Sequence, residues 1–235
     1  MPNLSLPSFT AVRNCLLCHA PTGGRTCPDC LDDLLSSAMP QECACPQCGG
    51  LGGGAEPCPS CQKHPPPFDR LWSSAYYEAP LNGILHEYKY RRRIELRFTL
   101  AELMLHLPPP WLEETRIECV LAVPLSRERR LERGFNQCGE LARILAAHHG
   151  LPILPENTVF RRPAPPQSSL PLDRRQHNAS GVFRTDGDVE DLNILLIDDV
   201  ATTNATLAEL CRILKQAGAR HLYCWTLMQA KMQRF

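Results

Sequence analysis

Residues Ile194 to Thr206 read ILLIDDVATTNAT: an apolar run, two adjacent carboxylates, then small and hydroxyl-bearing residues that lead into a helical pattern. Ile194 to Ile197 has the unbroken branched-apolar character of a strand buried on both faces of a parallel sheet. Asp198 and Asp199 then fall at the strand's carboxyl end, where open α/β sheets place their ligands. The loop amides and the first turn of the next helix offer unpaired N–H groups and a positive dipole end to an anion. Thr202, Thr203 and Thr206 add hydroxyl donors. Two carboxylates beside an anion nest make electrostatic sense when they grip something other than the anion. Vicinal ribose hydroxyls, together with Mg²⁺, suit them, so the string predicts a sugar-phosphate site. A plainer reading is a buried strand ending in an Asp-Asp turn and a helix cap; DD followed by TTxAT is more specific than capping requires.

This stretch closely resembles the phosphoribosyl pyrophosphate (PRPP) binding motif of type I phosphoribosyltransferases. The resemblance implies that Asp198 and Asp199 hold the ribose 2- and 3-hydroxyls. It implies that Ala201, Thr202, Thr203, Asn204, Ala205 and Thr206 wrap the 5-phosphate. The chain departs from the family pattern at Asn204, where Gly is usual. Such a loop needs φ > 0 at that position, and Asn tolerates the left-handed region better than most non-glycine residues.

The chain has 235 residues, room for one sizeable α/β domain and a small module but not for two large domains. With 25 basic and 25 acidic residues the formal net charge is zero, which argues against a general nucleic-acid coat while allowing a local patch. Of the basic residues, 21 are Arg and 4 are Lys. That skew suits bidentate phosphate binding, and a GC-rich coding bias produces it equally well. No stretch reaches the apolar length of a membrane span, and Met1 to Asn14 lacks the basic start and apolar core of a signal peptide. The expectation is a cytoplasmic chain without membrane insertion.

Nine of the thirteen cysteines lie between Cys15 and Cys61. Eight form CxxC pairs: Cys15/Cys18, Cys27/Cys30, Cys45/Cys48 and Cys58/Cys61. Each pair on a tight knuckle supplies half of a tetrahedral Zn²⁺ site, so two Cys₄ zinc sites are expected. Joining neighbouring pairs is the simplest arrangement, and a crossed pairing fits the spacing as well. Redox CxxC chemistry needs one pair on an α/β frame rather than four in a loop-rich segment; iron–sulfur ligation is the other alternative. Cys43 reads as a bystander, and His19 and His64 as solvated loop residues. Residues 1–65 hold too few large apolar side chains for a core, so the metals would supply the folding free energy. Lys63 to Phe68, with three consecutive prolines, reads as a stiff linker into a second domain over 66–235.

In that second domain the pattern predicts strands at Leu71 to Glu78, Glu118 to Val123 and His221 to Met228. Helices are predicted at Leu81 to Tyr90, Leu96 to His106, about Gln137 to His149, and Thr206 to Ala217, the last ended by Gly218. Leu125 to Gln137 carries Arg127, Arg129, Arg130 and Arg133 just past a strand end, either a bidentate pyrophosphate clamp or a solvated helix start. Pro163 to Phe183 is too long for an ordinary connection in a compact domain and holds Gln167, Arg174, Arg175 and Asn178. Cys119, Cys138, Cys211 and Cys224 sit in apolar patterns and read as small core residues.

The CxxC pairs, KYRRR (Lys89 to Arg93), VPLSRERRLERGFNQ (Val123 to Gln137), PQSSLPLDRRQHNASGVF and the IDDV motif, in this order, resemble the ComF/GntX family over nearly the whole chain. The resemblance implies a double zinc ribbon joined to a type I phosphoribosyltransferase-like parallel sheet flanked by helices. It also implies a link to natural competence, with imported single-stranded DNA and competence-machinery proteins as partners. By analogy with the wider fold, residues 163–183 would be a hood over PRPP. Mg²⁺, Arg127, Arg174 and Arg175 would neutralise the pyrophosphate as ribose 5-phosphate passes to a nitrogen nucleophile. The alternative is a non-catalytic factor that tracks single-stranded nucleic acid through its arginine clusters, with Tyr88, Tyr90 and Phe135 for stacking.

Overall fold

The computed structural model describes residues 13–162 and 181–230. The amino-terminal module contains a two-stranded ribbon, β1 (Arg13–Asn14) and β2 (Pro21–Thr22), and two short helices, α1 (Pro28–Leu35) and α2 (Pro59–Lys63). Both helices start with proline immediately after a CxxC cysteine. Proline suits that first position because its missing N–H would have no partner there and its φ is already helical.

The remainder is β3 (Arg70–Tyr76), α3 (Leu81–Tyr90), α4 (Arg97–His106), β4 (Cys119–Ala122), α5 (Arg127–Arg133), α6 (Gln137–His149), β5 (Val159–Arg161), β6 (Phe183–Thr185), β7 (Asn193–Ala201), α7 (Ala205–Gln216) and β8 (His221–Gln229). Four strands form a parallel sheet in the order β3-β8-β7-β4. Its alternation explains the apolar run: Leu195 and Ile197 of β7 face one core cluster, and Ile194 and Leu196 face the other. The first cluster is filled by Leu81, Leu85, Tyr88, Leu100, Met104 and Leu141 from α3, α4 and α6. The second takes Leu207, Leu210, Cys211 and Leu214 from α7. A strand covered on both faces has no polar side to display, hence the loss of alternation.

Two features differ from the sequence reading. First, β7 continues past Ile197 to Ala201, so Asp198 and Asp199 lie inside the strand. The cause is β8, which runs alongside for nine residues and pairs Asp198 with Thr226 and Ala201 with Gln229. Second, the cysteine module packs into the larger core rather than standing apart from it. Leu34, Met39 and Ala44 belong to the first cluster. Residues 37–47 cover the free edge of β3: Met39 N–H donates to Ser74 O at 3.1 Å, Tyr76 N–H to Ser37 O at 2.9 Å and Leu71 N–H to Gln47 O at 2.8 Å. An uncovered edge strand would leave those backbone groups unpaired. The antiparallel pair β5–β6 joins the two ends of the segment 163–180, which lies outside the described residues.

Candidate functional site

Asp198 and Asp199 are both nearly sealed from solvent, at 9% and 6% exposure. Asp199 Oδ1 lies 2.8 Å from Lys89 Nζ at the end of α3, and Gln137 Nε2 at the start of α6 donates to Oδ2 at 2.8 Å. Asp198 Oδ1 accepts from the Asp199 N–H at 3.0 Å and from the Cys138 thiol at 3.3 Å. These contacts make the two acids electrostatically different. Burial, reinforced by the negative charge of Asp199, pushes the Asp198 carboxyl up to about 6. Burial acts on Asp199 in the same sense, but the Lys89 ammonium, the Gln137 amide and the Arg133 charge outweigh it and hold Asp199 below its ordinary value. Burial and both neighbouring carboxylates push the Cys138 thiol well up, so it stays protonated as a donor.

The 201–206 loop follows directly. Asn204 adopts φ 59° and ψ 3°, the left-handed conformation expected of it, at the cap of α7. No hydrogen bond among the described residues uses the backbone N–H of Thr202, Thr203, Asn204 or Ala205. A left-handed residue before a helix turns successive N–H groups towards one concave spot, and the helix dipole adds positive potential there. Thr202 is exposed and Thr203 to Thr206 are partly so, which leaves the spot open to an anion.

Arg127 is the exposed first residue of α5, whose cap is Ser126, accepting at Oγ from the Arg129 N–H. The arginine segment is therefore a helix start, and two of its arginines also line an open cleft. The cleft measures about 700 Å³ and is walled by Leu121, Leu125, Ile153 and Phe160 with Arg127, Arg130 and Arg161. Neither the carboxylates nor the 201–206 loop line it. Arg161 connects the two regions: burial lowers its basicity and the nearby Asp198 charge opposes that. Arg174 and Arg175 lie outside the described residues.

The residues that sequence reasoning missed are the partners of the acids. Lys89 begins the KYRRR run and Gln137 ends VPLSRERRLERGFNQ, and neither string signals a contact with the acids. Cys138, read as a small core residue, is buried among apolar neighbours and also meets Asp198. Arg133, named among the four arginines of a clamp or helix start, is instead 8% exposed with its Nη1 unpartnered among the described residues, and its charge acts on Asp199. No periodicity marks any of the four, because each contact depends on how α3, α5 and α6 pack against the sheet.

The eight CxxC cysteines form two clusters, Cys15/Cys18/Cys27/Cys30 and Cys45/Cys48/Cys58/Cys61, each with its sulfurs within 4.8 Å of one another. Neighbouring pairs combine and the crossed pairing does not occur. Cys18 and Cys27 sulfurs are 3.6 Å apart, and Cys48 and Cys58 sulfurs 3.8 Å. A tetrahedral ion with Zn–S bonds of about 2.3 Å has sulfur–sulfur edges close to these values. Backbone N–H groups point at the first sulfur of each set, from Leu17 and Cys27 to Cys15 and from Cys58 to Cys45. Burial opposes ionisation of Cys15, yet the backbone N–H groups of Cys18, Cys27 and Leu17 outweigh it and draw the thiol down to about 6. The donor set thus fits a thiolate-bound Zn²⁺ in each cluster. Cys43 belongs to neither, as expected. Among the described residues no helix is long and apolar enough to cross a membrane.

No family model matches the chain. It is similar to DNA utilization protein YhgH of Salmonella typhi, at 34% identity over 78% of this chain and 82% of the relative. It is 29% identical to competence protein F of Haemophilus influenzae over 84% of this chain and 90% of that protein. Competence protein ComFC of Bacillus subtilis matches at 34% identity over 47% of this chain and 44% of its own length. Among solved structures, a glutamic acid mutant from an analysis of an invariant aspartic acid in HPRTs aligns over 61% of this chain and 68% of that one, at 19% identity and a TM-score of 0.31. One residue in three shared with a relative that it spans across four fifths of its length places the chain by descent: it belongs to the ComF/GntX family.

Proposed function

We propose that the chain binds PRPP with Mg²⁺ where the 201–206 loop meets Asp198 and Asp199, and works in the handling of DNA taken up during competence. The left-handed Asn204 carries this reading: it opens a row of unbonded N–H groups at a helix start beside two buried carboxylates. The N–H groups suit the 5-phosphate, and Asp198, which has no ion pair among the described residues, suits the ribose hydroxyls or Mg²⁺. Arg127 and Arg161 supply positive charge on the pyrophosphate side, joined in this reading by Arg174 and Arg175. Bound Mg²⁺ would stabilise charge on a departing pyrophosphate, and the chain's own part is to position the ribose and exclude water. The names of the relatives supply the DNA context. Structural Zn²⁺ in both clusters and free thiols throughout suit a reducing, cytoplasmic setting.

PRPP with Mg²⁺ should raise the melting temperature, since a ligand specific to the native state stabilises it. Changing Asp198 and Asp199 together to Asn should abolish the shift; a double variant that responds like wild type would overturn the site assignment.

One observation favours a second role. Tyr90 is 57% exposed with the Arg133 guanidinium over its ring at 5.1 Å, and Arg91 and Arg92 beside it are exposed. That surface suits stacking and backbone contacts with single-stranded DNA. Titrating a single-stranded oligonucleotide with and without PRPP on one preparation separates the two roles: loss of oligonucleotide binding in Tyr90→Ala with PRPP binding intact would assign them to different surfaces.

A further inference from the structure

Asp198 and Asp199 are neighbours in sequence but not equivalents in the fold. Asp199 has both carboxylate oxygens engaged, by Lys89 and by Gln137, each at 2.8 Å. Asp198 has no cation within ion-pairing distance among the described residues; its Oδ1 is oriented by the Cys138 thiol and by the backbone N–H of Asp199. Lys89 makes no other ion pair among those residues. It stands near the end of α3, and the chain just beyond is tied to the first cysteine cluster: Arg93 Nη2 donates to Leu16 O at 3.0 Å, next to Cys15. Thr26 and Thr99 hydroxyls bond at 3.0 Å between the same module and α4.

A buried lysine–carboxylate pair is a weak source of stability, because desolvation of both ions offsets most of their attraction. Its stronger effect is geometric. Lys89 and Gln137 fix the Asp199 side chain, the Asp199 N–H then fixes Asp198 Oδ1, and the Asp198 carboxylate is left as the one that can turn to a ligand. We infer that the two acids divide the work, with Asp198 contacting the ribose of the bound sugar phosphate and Asp199, held by Lys89, acting as a positioning residue. This rests on the sugar-phosphate reading above, and it assigns Lys89 a part in binding that its distance in sequence conceals.

Calorimetric titration with PRPP·Mg²⁺ tests it on wild type, Asp198→Asn, Asp199→Asn, Lys89→Met, Lys89→Arg and the double variant Lys89→Met/Asp199→Asn. Asp198→Asn should lose about 100-fold or more in affinity, as expected where a charge-assisted contact to the ligand is removed. Lys89→Met and Asp199→Asn should each lose about 10-fold, since each leaves a buried partner unpaired and the geometry loosened. The double variant should bind no worse than the weaker single, because residues acting as one unit are not additive. Lys89→Arg, which keeps the cation, should bind within about threefold of wild type, a rescue that packing alone would not produce. If Lys89→Met fails to fold, the double variant, which leaves no charge unpaired, still decides. Multiplying losses in the double variant, or an Asp199→Asn loss equal to that of Asp198→Asn, would overturn the division of work while leaving the sugar-phosphate reading intact. A wild type that does not bind PRPP would overturn both.

Discussion

Asn204 is where a single side chain tests the phosphate nest most directly. Its φ of 59° lies in the left-handed region, and its Oδ1 is buried without a partner among the described residues. For an L-residue the left-handed conformation costs about 1–2 kcal/mol, less for Asn than for most. An unpaired buried oxygen adds about 1 kcal/mol or more. Asn204→Gly removes both penalties and adds roughly 0.5–1 kcal/mol of unfolded-chain entropy, so the unliganded protein should gain about 1 kcal/mol. Asn204→Val places a β-branched side chain in the same conformation and should lose about 2–3 kcal/mol, or force the loop out of shape. At roughly 2–4 °C per kcal/mol for a chain of this size, thermal unfolding should show Gly about 3 °C above wild type and Val about 5–10 °C below. Titration with PRPP·Mg²⁺ then reads the function of the same backbone: Gly should bind as well as Asn or more tightly, and Val should scarcely bind. A Val variant that melts with wild type would refute the strain reasoning. Equal PRPP affinity in all three would refute the nest and favour the nucleic-acid reading.

Metal analysis should find about two Zn²⁺ per chain; one equivalent, or iron with visible absorbance, would refute the thiolate assignment. Because Leu34 and Met39 pack in the main core, chelation should also lower the melting temperature of the sheet domain, whereas an unchanged transition would show the two parts to be independent. Burial holds the Asp198 carboxyl near 6, above its unfolded value, so the folded chain retains a proton that the unfolded chain has released, and this group's stability contribution falls as pH rises from about 4 to about 6. Asp198→Asn should therefore stabilise the unliganded protein at pH 7.5 by up to about 3 kcal/mol, with the gain vanishing below about pH 4; denaturant unfolding across pH checks it, and a pH-independent difference would refute it. Asp199 has the opposite sign: its lowered value gives stability that is present above about pH 4 and lost on acidification. Lys89→Met should cost about 3 kcal/mol at neutral pH by stranding buried Asp199, and adding Asp199→Asn should recover most of it; a double variant no more stable than the single would show that the ion pair is not the cause.

The sequence alone determined whatever rests on local pattern. Ile194 to Ile197 announced a doubly covered strand, because burial on both faces leaves no polar alternation. The four CxxC pairs announced two thiolate clusters, because a knuckle is a short-range object whose ligands lie three residues apart. Asn204 announced a left-handed turn, because its neighbours formed a loop that needs one. Tertiary structure decided which cysteine pairs combine, since the spacing allowed either arrangement. It decided that β7 continues to Ala201, because only β8 alongside extends the ladder through the carboxylates. It joined the cysteine module to the sheet through Leu34, Met39 and the edge of β3. Above all, it distinguished Asp198 from Asp199. The two are indistinguishable as letters, and they differ because Lys89, 110 positions from Asp199, reaches one of them and not the other. A buried charge takes its properties from the groups packed around it, and those neighbours are chosen by the packing of α3 and α6 on the sheet.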